Sequence, residues 1–196
     1  VIVTGAGRAF SAGGDIDEMR GPDGLDYLRR FAEPVHAAFS RIEALGLPTI
    51  AAVNGPALGG GAELVLALDL RLIADDACLG LPEINLGLFP GAGGTQRLIR
   101  QVPLCRAREL LFLGDSLSAD EALRIGLVNR RVPSGRLLAE ARALALRLAA
   151  KPPQALRLLK RTLADGVQMS LVSALRHEQA MIGLAMTSDD ARQGLA

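Results

Sequence analysis

Three short glycine-rich stretches, each set between an apolar run and a helix-forming run, restrict the possible folds of this chain more than any other feature. They are Ser11-Ala12-Gly13-Gly14-Asp15-Ile16, Asn54 to Glu63, and Pro82 to Gly87 continuing into Gly91-Ala92-Gly93-Gly94. Glycines gathered just before a helix let backbones approach closely and aim unpaired amide N–H groups at one point. Such a point suits a phosphate, or an oxyanion that develops during a reaction.

The segments between these turns read as alternating strands and helices. Val1 to Thr4 is a β-branched run stopped by Gly5-Ala6-Gly7, and residues 8–23 are a glycine-rich loop with one short helical candidate, Asp15 to Arg20. Leu28, Phe31, Val35, Ala38, Phe39 and Ile42 recur at helical spacing over residues 25–45, with Pro34 bending or splitting the helix. Gly46 and Pro48 end it, and Thr49 to Val53 is a second buried strand. Beyond the loop at 54–61, a helix is expected over Ala62–Leu68, a strand over Asp69–Ala74 and a short strand over Cys78–Leu81. Helices follow from Thr95 to about Leu113, Ser118 to Glu121 is a capping box, and Gly126–Val132 is a last strand. After Pro133 the periodicity is helical over 136–150, 153–164 and 170–186. The pattern is an α/β core with parallel crossovers and a C-terminal helical layer.

Composition removes several function classes. Lys plus Arg number 22 against 21 Asp plus Glu, so no bulk charge attracts nucleic acid, and six aromatic residues offer few stacking platforms. No apolar stretch is long enough to span a bilayer without a charge. Cys78 and Cys105 stand 27 positions apart, without a CxxC or a nearby His. They read as small core hydrophobes in a reducing compartment rather than as a disulfide or a metal site. Twenty of the 22 basic residues are Arg, an association with GC-rich bacteria, so a bacterial cytoplasmic location is expected. The chain starts inside a strand and stops in what reads as the first turn of a helix, Asp189 to Ala196, so it is expected to be a fragment.

Nucleotide-binding and hydrolase motifs are absent: there is no GxxxxGK[ST] and no GxSxG, and Gly5-Ala6-Gly7 is not completed to GxGxxG. His36 and His177 lie in helical segments without a partner nucleophile. Two carboxylates remain. Glu63 falls in the first turn of a glycine-preceded helix, where an acid complements the helix dipole, and Glu83 follows Pro82 in an otherwise apolar loop. With one strand-length segment between them, both can return to the same strand ends, where open α/β sheets hold ligands. Two acids around one pocket push their pKa values apart, so that one accepts a proton while the other donates.

Ser11 to Ile16, Asn54-Gly55-Pro56-Ala57-Leu58-Gly59-Gly60-Gly61-Ala62-Glu63-Leu64, and Pro82 through Gly91-Ala92-Gly93-Gly94-Thr95-Gln96-Arg97-Leu98 resemble the crotonase (enoyl-CoA hydratase/isomerase) family in order and spacing. The likeness covers essentially the whole chain. It implies a spiral of ββα units over residues 1–133, with its N-terminal part missing. It also implies a helical oligomerisation region over 134–196, with its end missing, that builds a homotrimer or dimer of trimers. The implied substrate is an acyl-CoA thioester, with no metal and no cofactor apart from the coenzyme A carried by the substrate, and no nucleic-acid or membrane partner.

The resemblance also implies roles. The amides of Gly14 and Gly60 bind the thioester oxygen, Glu63 and Glu83 hold a water between them, and Gly91 helps orient that water. Ala12, Asp15 and Ile16 join Gly14, Gly60 and Gly91 in contacting substrate. Which glutamate is acid and which is base stays open, because a coupled pair titrates jointly. Retention of both acids favours hydration of a 2-enoyl-CoA over the Δ3-Δ2 isomerase and other lyase activities of the family. A non-catalytic acyl-CoA-binding or RNA-binding homologue is the reading from a different class. Where many hydratases carry a Lys near the CoA phosphates this chain has Asp17, so the affinity for the nucleotide end is expected to be either altered or carried by Arg8 or Arg20.

Overall fold

β-Branched and small apolar residues with no polar interruption make residues 50–53 a strand that can be covered on both faces. In a computed structural model, which describes residues 1–21 and 23–195, all four of these residues are buried. Pro22, in the expected glycine-rich loop, and Ala196, at the end of the helical tail, lie outside the described residues. The strands are Ile2–Thr4 (β1), Ile50–Val53 (β2), Ala57–Leu58 (β3), Leu70–Ala74 (β4), Cys78–Gly80 (β5), Ser116–Ser118 (β6) and Arg130–Val132 (β7). A parallel sheet runs β1-β2-β4-β7, with Ile50 opposite both Ile2 and Leu70. A second sheet runs β3-β5-β6, parallel between β3 and β5 and antiparallel between β5 and β6.

The helices are Ile16–Met19 (α1), Gly24–Tyr27 (α2), Glu33–Glu43 (α3), Gly60–Leu66 (α4), Gly94–Leu98 (α5), Leu104–Leu113 (α6), Ala119–Arg124 (α7), Leu137–Ala149 (α8), Pro153–Gly166 (α9), Leu171–Met186 (α10) and Asp189–Gly194 (α11). Pro34 acts one turn upstream of itself. Leu28–Ala32 is a π turn in which the Glu33 N–H bonds to the Leu28 carbonyl, which relieves the contact a proline ring makes with the carbonyl four residues earlier.

Several expected boundaries move. The last strand is confined to β7, because Gly126 takes a left-handed conformation and residues 126–129 form the turn that enters it. The helix expected from Ala62 begins at Gly60, and the loop at 54–61 contains β3. Ser118 caps α7 by accepting from the Glu121 N–H at 3.2 Å, but the Glu121 carboxylate turns to Arg106 and Arg124 instead of closing the box. Cys78 is half-buried, but Cys105 is exposed on the second residue of α6 and is not a core residue.

The described chain divides into two compact units. One holds Ile2–Glu43 and Thr49–Arg142, with both sheets and a core of β2, β4 and α4. Its ladders are reinforced by Asp69, whose Oδ2 accepts from Thr49 N at 2.7 Å and Thr49 Oγ1 at 2.8 Å. The other holds Val1, Ala44–Pro48 and the helical end from Ala143. Inside it α9 packs on α10, and Asp190 of α11 accepts from the Gln154 N–H at 2.8 Å. Among the described residues no helix is long and apolar enough to cross a membrane.

Candidate active site

Asn54 follows β2 and ties the second glycine-rich segment to the turn at residues 5–9 that leads into the first. Its Oδ1 accepts from Gly5 N at 2.8 Å, and its Nδ2 donates to the carbonyls of Gly7 at 3.1 Å and Ala9 at 3.3 Å. The chain at 10–11 then runs beside β3, with Phe10 N on Pro56 O at 3.0 Å and Leu58 N on Ser11 O at 2.9 Å. Gly13 and Gly14 are thereby laid against the start of α4. A methyl group placed on Gly60 would lie 3.5 Å from Gly13 Cα and 3.7 Å from the nitrogen of Gly14. Among the described residues neither the Gly14 nor the Gly60 N–H has a hydrogen-bond partner. Two unpaired donors this close together, one of them opening a helix, could both serve an anionic oxygen. Ala12, Gly14, Asp15 and Ile16 are exposed here, and Gly60 is half-buried.

Glu63 sits one turn into α4 and is 3% exposed. Its Oε1 accepts from the N–H groups of Ala92 at 2.7 Å and Gly94 at 2.8 Å, both from the third glycine-rich segment. Those bonds fix the side chain and leave the second oxygen without a donor among the described residues. Gly94 cannot carry a side chain here, because a Cβ would stand 2.9 Å from Glu63 Oε1 and 3.0 Å from Pro90 Cβ.

Glu83 lies in a 3-10 turn at Pro82–Leu86. Its Oε1 approaches Gly59, 3.2 Å from where a Cβ would stand, while Oε2 is buried with no hydrogen-bond partner among the described residues. Burial pushes its carboxyl pKa above the usual glutamate range, against a lowering backbone hydrogen bond, and the Glu63 charge pushes it further up. The two acids share one electrostatic site but differ in support: one is clamped by amides, the other is desolvated with an unpaired oxygen. Such a pair can take a proton at one carboxyl and give one at the other.

Gly91, half-buried, lines an open cleft of about 620 Å³ with Phe89, Tyr27, Leu28, Glu33 and His36. Asp17 forms an ion pair with Arg20 at 2.9 Å on the surface beside the first loop. Among the described residues no group of three or more His, Cys, Asp or Glu is disposed to hold a metal ion.

Comparison with known proteins fits this geometry. The profile of the family described as Enoyl-CoA hydratase/isomerase matches residues 1–196. The chain belongs to the enoyl-CoA hydratase/isomerase family. It is 40% identical over 196 residues to the short-chain-enoyl-CoA hydratase of Clostridium acetobutylicum, matching 100% of this chain and 75% of that protein. It is 42% identical, with the same coverage, to the crotonyl-CoA hydratase of Syntrophomonas wolfei. The solved enoyl-CoA hydratase of Bacillus anthracis superposes with a TM-score of 0.94 at 41% identity, covering 99% of this chain and 75% of that one. The expected family and the mixed α/β fold with a parallel sheet are both borne out.

Within this enoyl-CoA hydratase/isomerase fold, sequence reasoning missed the residues that hold Glu63. The amides of Ala92 and Gly94 supply the clamp, and the side chain of Arg97 donates to the Ala92 carbonyl at 2.8 Å. The signal in the sequence was the glycine run at 91–94, which marks a turn but not the side chain it grips.

Proposed function

We propose that this chain adds water to 2-enoyl-CoA thioesters to give 3-hydroxyacyl-CoA. The observation that carries this is the pairing of an amide-clamped Glu63 with a desolvated Glu83 near the neighbouring, unpaired Gly14 and Gly60 amides. The thioester oxygen lies between those two N–H groups, which stabilise it as it becomes enolate-like; one such donor is typically worth about 3 kcal/mol in the transition state.

The asymmetry of the acids supports a division of labour. Glu63, clamped by two amides and with one oxygen unengaged, takes a proton from the water whose oxygen bonds to the β-carbon. Glu83, whose proton affinity is raised by burial, gives a proton to the α-carbon as the enolate collapses. Glu63 ends protonated and Glu83 ionised; moving one proton back between them restores the site, so the net change is addition of one water. The cleft beside Gly91 takes the acyl chain, and exposed Ala12, Asp15 and Ile16 flank the thioester arm. The substrate carries the only coenzyme the chemistry uses, and the bacterial relatives favour a cytoplasmic setting.

Association supports the same reading. Leu171, Leu175, Ile182 and Met186 of α10 are 74%, 49%, 58% and 56% exposed, so packing within one chain does not account for them. We assign residues 134–196 to contacts between copies in a homotrimer or dimer of trimers. Light scattering should return a mass that is a multiple of three chains; a single-chain mass would remove the assignment.

The reaction is tested by following crotonyl-CoA in ¹⁸O-water. The wild-type chain should place the label on the 3-hydroxyl, and Glu63→Gln should slow this by about 10³-fold with CoA-thioester binding retained. A double-bond shift without label uptake would reassign the chain to isomerisation, and undiminished turnover in Glu63→Gln would remove the paired-acid mechanism.

A further inference from the structure

The clamp on Glu63 is itself held by an ion pair that touches no part of the oxyanion cradle. Arg97, on α5, is gripped by the carboxylate at the C-terminal residue of α3: Nε donates to Glu43 Oε1 at 2.8 Å and Nη2 to Glu43 Oε2 at 2.6 Å. The Arg97 side chain is 13% exposed, against 42% for Glu43, so the pair is partly withdrawn from water. Its third nitrogen, Nη1, donates to the Ala92 carbonyl at 2.8 Å, and the N–H of that same residue is one of the two donors on Glu63 Oε1. Between the two clamp donors stands Gly93, in the left-handed region at φ +102°, where a Cβ would lie 2.0 Å from Arg97 Nη1. The Glu43 hydrogen bonds hold the Arg97 guanidinium firmly protonated, against the effect of burial, with smaller contributions from the charges of Glu43 and Glu63.

We propose that Arg97 is a positioning residue for Glu63: fixed by Glu43, it holds the 92–94 turn so that two amides meet one carboxylate oxygen and the other oxygen faces the reacting water. The inference rests on the role proposed above for Glu63. A planar, bidentate guanidinium suits the task, because its fork sets direction as well as distance. An ammonium at the same place would keep the charge but reach only part of the geometry. A side chain that turns Glu63 through the 92–94 backbone changes the rate of proton transfer while leaving the thioester cradle alone, since displacement of a reacting group by about 1 Å can cost 10²-fold.

The test is a double-mutant cycle on the full chain with crotonyl-CoA as substrate. Arg97→Met should lower kcat by about 10- to 100-fold with KM changed little, Arg97→Lys should recover part of the loss, and Glu43→Gln should lower kcat by a smaller factor. In a Glu63→Gln background, Arg97→Met should cost nothing further, because residues that act as a unit are not additive. The same fractional loss in both backgrounds would overturn the proposal, as would an unchanged kcat in folded Arg97→Met. If that variant does not fold, an unchanged kcat in Glu43→Gln overturns it equally. Full activity in Glu63→Gln alone points elsewhere, to failure of the paired-acid reading rather than of the link to Arg97.

Discussion

Glu83→Gln is expected to lower crotonyl-CoA hydration by about 10³-fold and, at neutral pH, to leave the protein at least as stable as the parent. The two effects have one cause. Glu83 Oε2 is buried without a donor, and burial raises the carboxyl pKa from the ordinary 4.5. An acid with a raised folded-state pKa contributes stability below its unfolded value, and that contribution is lost as pH rises through the folded value. As pH rises through that raised value the folded chain comes to carry a desolvated carboxylate that an amide of the same shape does not impose. Thermal unfolding of both proteins between pH 5 and pH 8 should show the melting temperature of Glu83→Gln gaining on the parent as pH rises. A gap that closes or reverses with rising pH would mean that this carboxylate is not a burden to the fold. A site that costs stability to keep a proton donor in place is the trade expected of a general acid.

Arg71→Met should destabilise the fold by about 2–5 kcal/mol, since it leaves backbone carbonyls unpaired at about 1–3 kcal/mol each. Arg71 leads from β4 back to the end of α4. Its Nε donates to Val65 O at 2.9 Å, Nη1 to Leu127 O at 3.0 Å, and Nη2 to Leu66 O and Leu68 O at 3.1 Å each. Three of those four carbonyls lie at or just beyond the C-terminus of the helix that carries Glu63, where unpaired acceptors and the negative end of the dipole gather. Burial pushes the guanidinium down to about 10, opposed by the charges of Asp69 and Glu43, so the hydrogen bonds carry the group. Removing it strands the carbonyls of Leu127 and Leu68, while Val65 O keeps the Leu68 N–H at 3.2 Å and Leu66 O keeps Gln101 Nε2 at 3.0 Å. Arg71→Lys should recover only part of the loss, since three ammonium donors on a flexible stem do not match a planar fork. Chemical denaturation measures both variants, and a loss below about 1 kcal/mol for Arg71→Met would show that water replaces the guanidinium.

The elements read correctly from the sequence are those whose own residues suffice to announce them. The run Ile50–Val53 is apolar throughout, α3 carries its apolar stripe, and α9 and α10 show unbroken helical spacing. The two- and three-residue strands β3 and β6 announce nothing locally, because each is a strand only by virtue of its partner β5. Cys105 shows the same limit from the other side: its residue type suggested the core, and the face of α6 on which it falls exposes it.

From residue order alone came the three turns, the two acids as candidates and the family, since each depends on residue types at fixed short spacing. Tertiary structure decided what grips those acids. The donors to Glu63 come from 29 and 31 positions further along the chain, and the guanidinium behind them answers to a carboxylate 54 positions earlier. Hydrogen bonds across such distances form only after the sheets bring separate segments together. A linear pattern can therefore name the acids, while their unequal surroundings, on which the proposed direction of proton transfer rests, belong to the folded chain.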